Sequence, residues 1–472
     1  MRRSVATSAR AWFDRLWAGI AARGRAVAPL PATSAPPLER ARMLALSLLS
    51  ERGEASSAAL AGELLAVWQT LDEAGHAAFE TFLAENFNPD PERLAGAAKA
   101  YLEDPTPERA MALFEFSQSP RQEFLQRMNM APGGTAALVD MRREIHTRIK
   151  AMPALRLVDA DLRHLLTAWF NRGFLELRRI DWDTPAVVLE QLIAYEAVHE
   201  IAGWDDLRRR LAPDRRCFAF FHPALANQPL IFVEVALVKG LASEVQPLLA
   251  PPLAGASGAE EADTAIFYSI SNCLDGLRGI SFGNFLIKQV VEELQAELPG
   301  LRQFATLSPV PGLRHWLARH LKGTAGAEAL TAEERDAIAR LVPEADATNT
   351  LALITAATEG AWWTDAERVA ALHEPLIRLC AQYLTRPNKG LGAIDPVARF
   401  HLRNGALLER VNWLGNLSAR GMKESCGIMV NYLYDPERIE VNHETFVRSG
   451  TVVRSPTVEK ILRTPPAKKR AG

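Results

Sequence analysis

Two stretches in the second half of the chain carry residues able to do chemistry. Phe400–Ala406, FHLRNGA, sets His401 beside small and amide residues. An imidazole is the side chain best suited to proton transfer near neutral pH. Phe267–Leu294, FYSISNCLDGLRGISFGNFLIKQVVEEL, reads as a strand, a glycine-bearing loop and the opening of a helix. Gly276, Gly279 and Gly283 let backbone N–H groups come close to a ligand. A helix beginning near Asn284 offers unpaired N–H groups and the positive end of its dipole, which suits a pyrophosphate, and Arg278 adds a charge-assisted contact. A glycine-rich turn without a ligand fits the spacing equally well. Gly279–Gly283, GISFG, also matches G-x-S-x-G, the nucleophile elbow of α/β-hydrolases. An elbow serine ends its strand, whereas Ser281 follows a loop of several residues, which argues against that reading.

The elements around these stretches change character along the chain. Met1–Arg25 is basic and amphipathic, and reads as a transit-type segment or an ordinary first helix. Ala28–Pro37 is a proline-rich hinge. From Leu38 to about Leu211 apolar residues recur at helical spacing, as in Ala41–Leu49 and Ala59–Leu71. Pro91 and Pro107, each followed by Glu, mark helix starts. Pro132–Thr135 is a turn, and Arg208–Arg210 reads as a solvated helix end. Near Arg215 the pattern becomes β-rich. Cys217–Pro223, Pro229–Leu237, Ala265–Ser271, Arg302–Ser308 and Gly427–Tyr434 read as strands, the first two buried on both faces. Helices return at Thr331–Leu341 and Thr364–Leu384. The expected class is a two-domain α+β or α/β protein: residues 38–170 form an all-α bundle after the N-terminal stretch 1–37, and residues 171–472 form a mixed sheet flanked by helices.

Composition limits the partners. The 472 residues carry 54 basic and 56 acidic side chains, a net charge of −2, which favours neither nucleic acid nor an anionic membrane surface. No apolar run reaches the ~20 residues of a membrane span. The 4 cysteines include no C-x-x-C pair and suit a reducing compartment. His373-Glu374 lacks the second histidine of H-E-x-x-H, so no metal site is expected.

Several runs resemble the malonyl-CoA decarboxylase family: Met130–Arg142 (MAPGGTAALVDMR), His222-Pro223, Pro229–Leu237, Phe267–Ser271, Leu307–Gly312 (LSPVPG), Arg399–Ala406 and Asn431–Asp435 (NYLYD). The resemblance covers most of the chain. It implies a helical domain used in self-association, as a homodimer or homotetramer, and a catalytic domain of the GNAT acetyltransferase fold. It places the catalytic pair at Ser308 and His401, and the CoA-binding stretch at Arg278, Gly279, Ile280, Ser281, Phe282, Gly283 and Asn284. Asn404, Tyr434 and His222 are further candidates to support the pair. Some relatives carry an acid at the position of Ser281, and animal relatives end in a peroxisomal tripeptide that Arg470-Ala471-Gly472 does not match.

The implied reaction turns malonyl-CoA into acetyl-CoA and CO2 within fatty acid or malonate metabolism, in the cytoplasm unless the basic N-terminus directs import. No cofactor beyond the CoA of the substrate is expected, because the thioester is itself the electron sink. Rivals are a CoA-dependent acyltransferase of the same fold and a non-catalytic malonyl-CoA sensor. Taken alone, Ser308 before Pro309 is a turn residue and His401 a hydrogen-bonded structural histidine.

Overall fold

The structure is a computed structural model that describes residues 34–50, 54–251, 259–280, 286–322, 328–386 and 395–463. Met1–Arg25 and the first part of the proline-rich hinge lie outside them. Two compact units form. The first takes the described residues up to Glu176, with Phe221–Leu230 and the described part of Leu274–Phe282; the second takes the remainder. Among the described residues no helix is long and apolar enough to cross a membrane.

The first unit is helical. Asp90 accepts hydrogen bonds from the N–H groups of Glu92 and Arg93, and Thr106 accepts from that of Arg109. Pro91 and Pro107 then fill the first helical positions, where no intrahelical donor is required. Leu44, Leu60, Leu64, Phe79, Leu83, Phe124, Leu138 and Ile145 are buried in its core. The turn at Pro132–Thr135 needs both glycines. Gly133 takes φ +79°, and a Cβ on Gly134 would sit 2.2 Å from the carbonyl oxygen of Met128. This turn launches the helix Gly134–Arg148.

The second unit is built on a mixed sheet of β1 (Glu176–Ile180), β2 (Arg215–Phe221), β3 (Pro229–Val238), β4 (Thr264–Asn272), β5 (Gln303–Thr306), β6 (Ser308–Pro309), β7 (Leu407–Asn412) and β8 (Met429–Leu433). The order is β1-β2-β3-β4-β5-β8-β6, with β7 also paired to β8. β4 and β5 run parallel, while β8 is antiparallel to β5, β6 and β7. β2 and β3 are buried along almost their whole length, as their unbroken apolar runs demand. Ile266, Tyr268, Ala305, Leu307 and Met429 pack together with Ala236 and Val245 on one face. Strand alternation and the register put Phe267, Thr306, Ser308, Val430 and Tyr432 on the other. A helical unit followed by a mixed sheet with flanking helices is the two-part class expected from the sequence.

Three expectations change. The helical run is interrupted by β1, whose sequence ELRRI is too charged and exposed to announce a strand. β7 begins at Leu407, directly after the motif Phe400–Ala406, in a stretch that sequence reading did not assign to a strand. The triplet Arg208–Arg210 ends a helix with Arg208 exposed as expected, but the Arg210 guanidinium is buried, 2.6 Å from Glu234 and 3.2 Å from Asp206. Glu234 lies at a register break between β3 and β4, and a carboxylate buried there requires the cation.

Candidate active site

Ser308 stands where two parallel strands part. β4 and β5 stay in register up to Phe267 and Thr306. Past that point the chain leaves β4, and Ser308 pairs with Val430 of β8 instead. The serine therefore lies just beyond the C-terminal end of β5, where the ladder with β4 has ended. Carboxyl ends of parallel strands are where such sheets receive ligands.

His401 comes from the helix Pro396–Arg403. Asp395 caps that helix through the N–H groups of Val397 and Ala398, and Pro396 occupies its first position. Gly405 at φ +83° ends it, and a Cβ there would meet the carbonyl oxygen of Ile439 at 2.2 Å. His401 is thereby aimed at Ser308: its Nε2 lies 3.0 Å from the Ser308 Oγ. Its other nitrogen, Nδ1, is 2.8 Å from the Tyr434 hydroxyl. The imidazole is clamped by rings. Tyr432 stacks on it at 4.7 Å and 22°, and Phe400 meets it edge-on at 5.1 Å. Phe267 in turn packs edge-on against Tyr434 at 6.3 Å.

The line Ser308–His401–Tyr434 is nearly dry, with exposures of 5%, 3% and 1%. Burial pushes the His401 imidazolium down to about 3 and raises the Tyr434 phenol well above its ordinary range. His401 is therefore neutral near pH 7. Neutral imidazole has one N–H and one acceptor. Among the described residues the Tyr434 hydroxyl has no other hydrogen-bond partner, so Nδ1 is the only acceptor for its proton. Leaving that buried donor unpaired would cost ~1–3 kcal/mol. Tyr434 thus donates to Nδ1, the ring proton sits on Nε2 facing Ser308, and the Ser308 O–H remains free to donate elsewhere.

The other sequence candidates lie as follows. The side-chain amide of Asn404 donates to the carbonyl of Phe400 at 2.8 Å and closes the helix end, not His401. His222 belongs to the helical unit, where Nε2 donates to the Trp169 carbonyl and Nδ1 accepts from the Ala224 N–H, so both nitrogens hold backbone. Arg278, Gly279 and Ile280 are described; Ser281, Phe282, Gly283 and Asn284 lie outside the described residues. The loop before them is fastened by a residue that sequence reading did not single out for it. Arg142 is buried and donates to the carbonyls of Gly276 at 2.7 Å and Arg278 at 2.9 Å, while its Nε holds Asp159 at 2.8 Å. A Cβ on Gly276 would sit 1.9 Å from the Val139 carbonyl oxygen, so this glycine serves packing, not ligand approach. Gly279, at φ +78° with open space around it, keeps the conformational role. The helix Leu286–Glu297 follows and buries Leu286, Val290 and Leu294 on one face.

Comparison with known proteins shows the family. The model described as Malonyl-CoA decarboxylase C-terminal domain matches residues 173–472, and the Malonyl-CoA decarboxylase N-terminal domain matches residues 87–170. The chain is 37% identical over 393 residues to the malonyl-CoA decarboxylase, mitochondrial, of Anser anser anser, spanning 80% of this chain and 77% of that protein. A crystal structure of malonyl-CoA decarboxylase from Rhodopseudomonas palustris superposes with a TM-score of 0.80 at 48% identity, covering 90% of this chain and 99% of that one. A second, from Agrobacterium vitis, gives 0.78 at 46% identity over 89% and 99%. The chain belongs to the malonyl-CoA decarboxylase family.

Proposed function

We propose that the chain converts malonyl-CoA to acetyl-CoA and CO2, with Ser308, His401 and Tyr434 as the reacting line. The carrying observation is the 3.0 Å approach of Ser308 to His401, backed by Tyr434 at 2.8 Å, in a water-poor setting. The bond between the malonyl carboxylate and the α-carbon breaks, CO2 leaves, and the electron pair enters the thioester as an enolate. The Nε2–H of neutral His401 and the O–H of Ser308 are donors for the developing oxyanion and the departing carboxylate. One such donor in a dry site is worth ~3–4 kcal/mol. The α-carbon then takes the proton from Nε2, and Nδ1 takes that of Tyr434. An enolate carbon is a far stronger base than a phenolate, so the relay runs downhill; water restores the phenol after product leaves. Ser308 acts as a donor, since among the described residues no base is hydrogen-bonded to it once Nε2 carries the proton.

CoA binding is assigned to Arg278–Asn284, on the loop that Arg142 fastens. The thioester supplies the electron sink, so the proposed chemistry calls for no metal or organic cofactor. Self-association is assigned to the helical unit. The helices Pro91–Glu103 and Pro107–Ser117 bury no residue, yet Leu102, Met111 and Phe114 are 80%, 62% and 64% exposed. Four free, buried cysteines support a reducing compartment such as the cytoplasm. Incubating the purified chain with malonyl-CoA and no acceptor tests the reaction. Acetyl-CoA and CO2 support it; free malonate, or thioester left intact, removes it.

A further inference from the structure

We propose that Asp395 is a positioning residue that sets the Ser308–His401 distance, an inference that rests on the decarboxylase reading above. Asp395 touches neither Ser308 nor His401. Its carboxylate is fully buried and divides its two oxygens between the segments that carry them. Oδ1 accepts from the N–H groups of Val397 at 2.9 Å and Ala398 at 3.1 Å, the first turn of the His401 helix. Oδ2 accepts from the N–H of Gly312 at 3.2 Å, four residues after Ser308, and from the Tyr383 hydroxyl at 3.2 Å.

Both arms that leave this carboxylate are stiff. Between Ser308 and Gly312 stand Pro309 and Pro311, whose rings fix φ, and the Leu313 N–H closes onto the Val310 carbonyl at 3.1 Å. Between Asp395 and His401 runs an α-helix capped by that same residue. A displacement at Asp395 is therefore carried to both ends instead of being absorbed on the way. The fit at the anchor is close. A Cβ on Gly312 would sit 2.1 Å from the Tyr383 oxygen and 3.2 Å from Oδ2, so only glycine brings this backbone to the carboxylate. Tyr383 is held in turn against Trp316, with ring centroids 5.2 Å apart. One carboxylate thus joins two segments 83 residues apart and aims their side chains at each other.

The test is Asp395→Asn in the full-length chain, alone and combined with Ser308→Ala. Asparagine still caps the helix through its carbonyl oxygen, but its amide faces the Gly312 N–H and the Tyr383 hydroxyl, and the tie to the Ser308 segment is lost. Misplacing catalytic groups by about 1 Å costs up to ~100-fold. The expected result is a kcat lower by ~30- to 100-fold, with KM for malonyl-CoA and inhibition by acetyl-CoA changed less than about threefold. In the Ser308→Ala background the same substitution is expected to lower kcat less than about threefold, because the partner it positions is gone. A kcat equal to that of the unmodified chain, or an equal fold loss in both backgrounds, overturns the proposal. If Asp395→Asn does not fold, Tyr383→Phe removes one of the four donors and must lower kcat by ~5- to 10-fold with KM changed less than about twofold; an unchanged kcat overturns the proposal. Absence of CO2 release by the unmodified chain would instead defeat the decarboxylase reading, so the two failures are separable.

Discussion

The Tyr434 hydroxyl lies 2.8 Å from the Nδ1 of His401 and, among the described residues, has no other partner. This pairing decides which nitrogen of the ring carries the proton. It makes His401 a neutral donor through Nε2, facing Ser308, instead of a base for that serine. Tyr434→Phe removes the donor and frees the ring to adopt the other tautomer. A lost buried hydrogen bond of ~1–3 kcal/mol predicts kcat down by ~5- to 150-fold, with KM nearly unchanged. Steady-state kinetics with malonyl-CoA checks this; a kcat within twofold of the unmodified chain removes Tyr434 from the relay.

The pH dependence follows from the same burial. With its pKa pushed to about 3, His401 stays neutral from mild acid upward. The profile of kcat/KM should therefore show no inflection near 6.5, the ordinary histidine value. An inflection there that vanishes in His401→Gln would contradict a neutral donor. Stability has a definite sign as well. Unfolding raises the His401 pKa, so the unfolded chain binds more protons between pH 3 and 6.5, and stability from this group falls as pH drops through that window. Relative to His401→Gln, the unmodified chain should lose ~2 kcal/mol more between pH 7 and pH 5, read by denaturant titration at the two pH values.

Arg142 ties the loop ahead of Arg278 to the helix Gly134–Arg148. Lysine keeps the charge but cannot span both carbonyls and Asp159 at once. Arg142→Lys should raise KM for malonyl-CoA by ~5- to 10-fold through loss of loop order, with kcat changed less than twofold. Equilibrium binding of acetyl-CoA by calorimetry is the direct check. Unchanged affinity would show that this loop does not bear on CoA.

The exposed apolar face of the helices Pro91–Glu103 and Pro107–Ser117 carries Met111 and Phe114. A charge placed in a self-associating face should weaken it by more than ~2 kcal/mol, or about 30-fold. Phe114→Glu is therefore expected to move the chain to smaller species in sedimentation velocity at micromolar concentration. An unchanged distribution would place self-association elsewhere.

What the residues announced, and what they hid, follows from range. β2 and β3 are readable because a strand buried on both faces must be apolar throughout, and Pro91 and Pro107 because helix starts are local. β1 is exposed and charged and carries no such signal. Ser308 and His401 are 93 residues apart, and no local pattern joins them; the family resemblance does. Asp395 carried a readable cue, an acidic cap before proline, but that cue reports only a helix start. Its second tie, to Gly312, exists only in three dimensions. Arg210 looked solvated because its partner Glu234 lies on β3, 24 residues further along the chain.

The central claim is that the line Ser308–His401–Tyr434 releases CO2 and protonates the resulting enolate. The most direct measurement is mass analysis of the thioester formed from malonyl-CoA in D2O by the unmodified chain and by His401→Asn. One deuterium in the acetyl group of acetyl-CoA from the unmodified chain, formed ~100-fold or more slowly by the variant, is the predicted result. Free malonate, or acetyl-CoA formed equally fast by both, would contradict it.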